Sequence, residues 1–169
     1  LKQSGLTTKN LKTMASTSKQ MKNLTLDGRV YNWQSSMIKN AIKNNSIANK
    51  IPNFAERHSY TVSSLMNTSN LIFEDIREDM DVVCYILKNS KKLRSLQLDN
   101  NNIGDKGIKE LAKTLKINNT LQALSLLENN IGVAGAKELA NALMTNNTLL
   151  RLYLYNNNIG NKGAKYLSN

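Results

Sequence analysis

The side chains that carry most enzyme chemistry are scarce in this sequence, which holds one histidine, His58, and one cysteine, Cys84. A catalytic triad needs a nucleophile, a base and a group that orients the base. His58 lies between Arg57 and Ser59, the setting of a solvated loop residue rather than of a general base. One His and one Cys cannot supply the usual zinc ligand set, and no GxxxxGK[ST] stretch offers a phosphate cradle. Asp99, Asn101, Gly104 and Glu110 shadow a calcium-binding loop, but Ile103 stands where an oxygen ligand is required. In the corresponding stretch Leu127 replaces the first ligand as well. No catalytic residue, cofactor or metal is expected.

Charge points away from two further classes. The chain carries 23 Lys+Arg and 12 Asp+Glu, a formal +11, and the excess is upstream: residues 1–64 hold ten basic side chains and two acidic ones, Asp27 and Glu56. Basic chains bind nucleic acid by displacing counterions from phosphate. Here the lysines (Lys2, Lys9, Lys12, Lys19, Lys22, Lys39, Lys43, Lys50) stand singly, joined by Arg29 and Arg57 and by no aromatic recognition signature. With 26 asparagines, the composition is that of a Lys/Asn/Ile-rich chain, which is basic by habit. The acidic group Glu74, Asp75, Glu78, Asp79 and Asp81 could form a docking patch. It also precedes a helical stretch ending in Lys88, Lys91 and Lys92, the polarity a helix dipole favours. No run of about 18 apolar residues exists to span a membrane. A lone cysteine forbids an internal disulfide, which suits a reducing cytoplasm, or a host cytoplasm for a delivered microbial effector. The chain begins at Leu1 without a signal-peptide pattern and reads as a piece of something longer.

The element that must position any functional residue is a repeat. Leu93, Leu121 and Leu149 recur every 28 residues, opening LRSLQLDNNNIGDKGIKEL, LQALSLLENNIGVAGAKEL and LLRLYLYNNNIGNKGAKYL. Within each copy, a Leu-x-Leu pair (96/98, 124/126, 152/154) has the period of a strand with one buried face. Asn101, Asn129 and Asn157 follow, where the chain must turn, and are expected to bond backbone that no sheet ladder satisfies. Gly104 and Gly107 permit a tight turn into a helix whose apolar stripe is Leu111, Ala112 and Leu115. Asn118 and Asn119 are expected to end that helix in left-handed geometry. One strand and one helix cannot bury both apolar faces alone, so the copies must stack.

The pattern LxxLxLxxNxI followed by GxxxLxxxL resembles the ribonuclease-inhibitor class of leucine-rich repeat, also found in NOD-like receptors and Ran GTPase-activating proteins. The resemblance implies an α/β fold, a right-handed βα solenoid forming a horseshoe segment. Parallel strands would line the inside and helices the outside, with ligands usually docked on the inner face.

Residues 93–120, 121–148 and 149–169 are thus three repeats, the last incomplete. Residues 65–92 form a degenerate repeat, with Leu71-x-Phe73 as its strand. Val83, Cys84 and Leu87 stand where Leu111, Ala112 and Leu115 stand, so Cys84 is expected to be a buried filler. Residues 21–64 are either a divergent repeat (Leu24-Thr-Leu26, then Met37, Ile38, Ala41 and Ile42) or an unrelated helical segment. An irregular connection over 47–64 would follow, containing Pro52. Residues 1–20 are poorly defined. Neither end carries a polar cap, so the array is expected to continue.

With the leucines facing inward, the alternate residues face the concave side. Gln97, Asp99, Ser125, Leu127, Glu128, Arg151, Tyr153 and Tyr155 are the candidate partner-binding residues, and Tyr and Arg there suit an interface hot spot. The function expected is a protein-interaction scaffold without catalysis. Its partner is another protein, and neither a metal nor a membrane span is involved. Two alternatives remain: regulation of a small GTPase, by likeness to the Ran-activating family, and nucleic-acid binding through residues 1–64.

Overall fold

A computed structural model describes the backbone of residues 23–26, 29–32, 36–76 and 78–168, and the side chains of residues 46–76 and 78–168. The expected segment 1–20 lies outside the described residues, as do the side chains of Met37, Ile38, Ala41 and Ile42 and of the lysines from Lys2 to Lys43. The chain divides into two units, Leu1–Lys50 and Ile51–Asn169.

The first unit contains β1 (Asn23–Leu26) and β2 (Arg29–Asn32), paired antiparallel with Asn23 opposite Asn32 and Leu26 opposite Arg29. They form a two-stranded sheet of their own. This corrects the divergent-repeat reading of residues 21–46, which required a parallel strand in the shared sheet. An antiparallel pair needs no crossover helix. Helix α1 (Ser36–Arg57) begins in this unit and ends in the second.

Helix α1 also replaces most of the irregular connection expected over 47–64. Pro52 lies inside the helix, where a proline removes one backbone bond and costs about 3 kcal/mol. Ile51, Phe54 and Ala55 beside it are buried, and each large apolar side chain buried returns about 1.5–3 kcal/mol. Burial outweighs the proline. Helix α2 (Val62–Asn67) then starts with a capping box: Thr61 Oγ1 accepts from the Ser64 N–H at 3.0 Å, and Ser64 Oγ accepts from the Thr61 N–H at 2.9 Å.

The repeats supply the rest of the second unit. Strands β3 (Asn70–Ile72), β4 (Ser95–Gln97), β5 (Ala123–Ser125) and β6 (Arg151–Tyr153) form one parallel sheet in chain order. Between and after them run α3 (Met80–Asn89), α4 (Gly104–Leu115), α5 (Val133–Leu143) and α6 (Gly160–Leu167). The architecture is an α/β solenoid with the leucines of both element types packed between sheet and helices. Leu96, Leu98, Leu111, Leu115, Leu124, Leu126 and Leu139 are all 1% exposed or less. Among the described residues strand β6 has a neighbour on one side only, and Leu152 and Leu154 keep partial exposure.

Two details differ from expectation. Cys84 is half-buried rather than a buried filler, although its counterpart Ala112 is 1% exposed; in α3 Val82, Val83, Ile86 and Leu87 take the interior. Asn118 and Asn119 are absent from the left-handed residues. Asn118 instead stays buried and anchors the helix-to-strand connection: its Nδ2 donates to the Leu87 carbonyl at 2.8 Å, and its Oδ1 accepts from the Leu121 N–H at 2.9 Å. Asn146 repeats the arrangement with the Leu115 carbonyl at 2.7 Å and the Leu149 N–H at 2.8 Å. A side chain that can both donate and accept satisfies backbone on two successive turns.

Candidate functional site

The sheet has two faces with opposite fates. Leu71, Leu96 and Leu124 point toward the helices and are buried, while Ile72, Gln97, Ser125 and Tyr153 line up across the other face in register. A second row follows two residues later: Glu74, Asp99, Leu127 and Tyr155. Solvent-facing rows of this kind arise because the side-chain period of a strand is two.

What holds the rows rigid is the asparagine after each strand. Asn129, fully buried, accepts at Oδ1 from the Asn101 N–H (3.1 Å) and the Ile103 N–H (3.2 Å). Its Nδ2 donates to the carbonyls of Leu98 (2.7 Å) and Leu127 (2.8 Å). Asn101 makes the same pattern one turn earlier, accepting from Ile76 N–H at 3.0 Å and donating to the Phe73 carbonyl at 2.8 Å. Asn157 does so one turn later, accepting from the Asn129 N–H at 3.0 Å and donating to the Leu126 carbonyl at 2.8 Å. Each asparagine clips its own turn to the one before it.

Of the eight residues singled out on the face, three have side chains engaged with one another, and the backbone of a fourth, Leu127, joins them. Asp99 accepts from Ser125 Oγ at 2.5 Å, from the Leu127 N–H at 3.0 Å and from Gln97 Nε2 at 2.8 Å. Asp99 therefore joins β4 to β5. The other five gather at the far end. Arg151 is exposed, Tyr153 and Tyr155 are 49% and 72% exposed, Leu127 is half-buried, and Glu128 is exposed beside it. Glu128 has a φ of 53°, the left-handed conformation that Asn100 and Asn156 adopt at the equivalent places (φ 60° and 55°). Asparagine tolerates that region and glutamate does so at a cost.

The candidate partner-binding residues begin at Gln97 and leave out the outward side chains of β3, the strand expected at Leu71-x-Phe73. Ile72 is 55% exposed and floors two adjoining cavities. One, of about 490 Å³, is lined by Arg57, His58, Ser59, Glu74 and Asp75; the other, of about 290 Å³, by Phe73, Glu74, Gln97, Asp99 and Asn100. The signal was present, since the alternation Leu71-x-Phe73 already places Ile72 and Glu74 outward. The acidic group thus splits in two. Glu74 and Asp75 border the face, whereas Asp79 pairs with Arg57 at 2.6 Å and Asp81 accepts from the Val82 N–H at 2.9 Å in the first turn of α3.

His58 is not the solvated loop residue expected. Its ring packs 4.4 Å from the Phe54 centroid and 5.3 Å from that of Phe73, and its Nε2 is buried without a hydrogen-bond partner among the described residues. Burial, with the Arg57 charge adding, holds its pKa below the ordinary 6.5, while Asp79, Asp75 and Glu74 oppose the shift. Among the described residues no cluster of His, Cys, Asp and Glu could hold a metal ion, and no helix is long and apolar enough to cross a membrane.

A family model described as "Leucine Rich repeat" matches residues 89–112, 118–140 and 145–168. Among solved structures, leiomodin-1 actin-binding site 2 aligns with a TM-score of 0.56 at 21% identity, covering 73% of this chain and 69% of that one. The tropomodulin C-terminal domain of Caenorhabditis elegans aligns with a TM-score of 0.42 at 13% identity, over 72% of this chain and 89% of that one. No curated protein matches the sequence.

Proposed function

We propose that the leucine-rich repeats, similar to those of the ribonuclease-inhibitor class, serve as a scaffold holding another protein on the concave, helix-free face of the sheet, without catalysis. The observation that carries the reading is the pairing of a rigid platform with exposed apolar and aromatic side chains. Each turn is clipped to the last through a buried or half-buried asparagine, and Ile72, Leu127, Tyr153 and Tyr155 project from that platform. Tyrosine presents a large amphipathic surface at small entropic cost, which is why it recurs at binding hot spots. Leiomodin-1's aligned region is an actin-binding site, so actin is one protein to present to this face. The likeness is one of fold, and the residues of the face decide the partner.

The test separates the two sides of the sheet. Tyr153→Ala removes a side chain that is 49% exposed and should change stability by about 0.5 kcal/mol or less while weakening capture of a partner. Leu124→Ala removes a side chain of 0% exposure and should cost about 2–5 kcal/mol. Urea denaturation reads both, and equal losses in the two variants would refute the assignment of faces.

A further inference from the structure

We propose that the open sheet face selects protein partners that present Lys or Arg side chains set among apolar ones; this choice of partner rests on the scaffold reading above. The first support is a reversal of charge between the two sides of the solenoid. The chain as a whole is +11, yet among the described residues no lysine lies on β3 to β6 or on the turns that follow them. The lysines of this region, from Lys88 to Lys165, all sit on α3 to α6 or on the connections leaving those helices. Among the described residues the turns and strands on this side carry Glu74, Asp75, Asp99 and Glu128, with Arg151 at the β6 end and Arg57, paired with Asp79, at the β3 end; Arg77, in the turn after β3, lies outside the described residues. A basic protein surface is therefore attracted to the one side of this unit that opposes the charge of the rest.

The second support is that the outermost carboxylates remain available. Glu74 is exposed and makes no hydrogen bond or ion pair among the described residues. Glu128 is exposed and receives only a long contact, 3.4 Å from Asn156 Nδ2. Glu128 also keeps its left-handed backbone at φ 53°, where the two equivalent positions carry asparagine. A residue held in a disfavoured conformation where a better one is at hand points to use.

The third is shape. The adjoining cavities share Ile72 and the Glu74 carboxylate, and Arg57, which also lines the larger one, is paired with Asp79 at 2.6 Å. A long side chain with an aliphatic stem and a cationic head fits such a place stem-down, head to the carboxylate. At the other end Tyr153 and Tyr155 are exposed near Glu128, whose N–H donates to the Tyr155 carbonyl at 3.1 Å, and aromatic rings attract cations. Polyanions are disfavoured here and would gather on the lysine-bearing helices.

The experiment pans a random dodecamer peptide library against the full chain at physiological salt, followed by anisotropy titration of the synthesised winners. The expected winners carry net positive charge with interspersed apolar residues, and bind more weakly to the Glu74→Gln, Glu128→Gln double variant by about fivefold, two exposed ion pairs' worth. Lys109→Gln with Lys137→Gln, on the helix side, should leave their binding unchanged. Neutral or acidic winners that still depend on Tyr153 would overturn the charge preference while leaving the scaffold reading intact. Failure to obtain any winner weakened by Tyr153→Ala would overturn the scaffold reading itself. Circular dichroism of each variant, all changed at exposed positions, confirms that the fold is retained.

Discussion

Replacing Asn129 by alanine tests whether the platform is held by side-chain amides. The substitution deletes an acceptor for two backbone N–H groups, Asn101 and Ile103, and a donor to two carbonyls, Leu98 and Leu127. Asn129 is 0% exposed, so water cannot replace these bonds without opening the turn. Four net hydrogen bonds at about 1 kcal/mol each give a loss of about 4 kcal/mol, with the two stranded N–H groups the larger share. That is a large fraction of what a domain of this size possesses. Asn157→Ala deletes the same kind of bonds to Asn129, Ile131 and Leu126, but Asn157 is half-buried and water can substitute. A loss of about 1–2 kcal/mol follows there. Asn130→Ala, at an exposed neighbour with φ 55°, should cost about 1 kcal/mol through backbone strain and the loss of one exposed hydrogen bond, from Asn130 Nδ2 to Asn102 Oδ1 at 2.6 Å. Equilibrium urea unfolding by circular dichroism gives the three values from midpoints and slopes. If Asn129→Ala cost no more than Asn130→Ala, the ladder would not be what holds the turns, and the reasoning would fail.

Three further outcomes follow from the same geometry. Asp105 Oδ1 accepts from the Gly132 N–H at 2.7 Å and the Gly135 N–H at 2.9 Å, capping α5 from the preceding repeat; Asp105→Ala should lower stability by about 1–2 kcal/mol, and an unchanged urea midpoint would refute the cap. Glu128→Asn should raise thermal stability by about 0.5–1 kcal/mol, by placing the residue that tolerates left-handed geometry where it is needed; a lower melting temperature would contradict this. His58 binds its proton more weakly folded than unfolded, since its pKa is held below 6.5. Its contribution to stability is therefore full above pH 6.5 and lost as pH falls through the folded pKa. The urea midpoint should drop between pH 7.5 and pH 5, and His58→Phe should shrink that drop; an equal drop in both proteins would remove His58 as the cause.

The sequence alone determined the array. A 28-residue period in leucines, asparagines and glycines is the direct imprint of the same burial repeated turn after turn, so strand, turn and helix could be placed from Leu93 onward. The alternation of side chains then assigned Gln97, Ser125 and Tyr153 to the open face, because strand geometry leaves no other choice. Asn129 could be marked as a backbone partner for the same reason: a polar residue between two buried stretches must satisfy something. Position 118 misled, since an asparagine suits both a left-handed helix end and a buried clip, and only the neighbouring turn's Leu87 carbonyl decides between them. Residues 21–46 misled too, because Leu24-Thr-Leu26 resembles a repeat strand, and its partner is set by the adjacent run rather than by its own pattern.

Tertiary structure alone decided which face residues remain available. Asp99 and Glu128 look alike in sequence, yet Asp99 is held by Ser125 and the Leu127 backbone whereas Glu128 extends outward. It also brought Phe73, 15 residues along the chain, against the ring of His58, and set Glu74 beside Gln97 and Asp99 of the next turn. Period and alternation are local properties and survive in a string of letters. Whether a given carboxylate is engaged depends on which groups the next turn brings within reach, and that is fixed only when the turns stack.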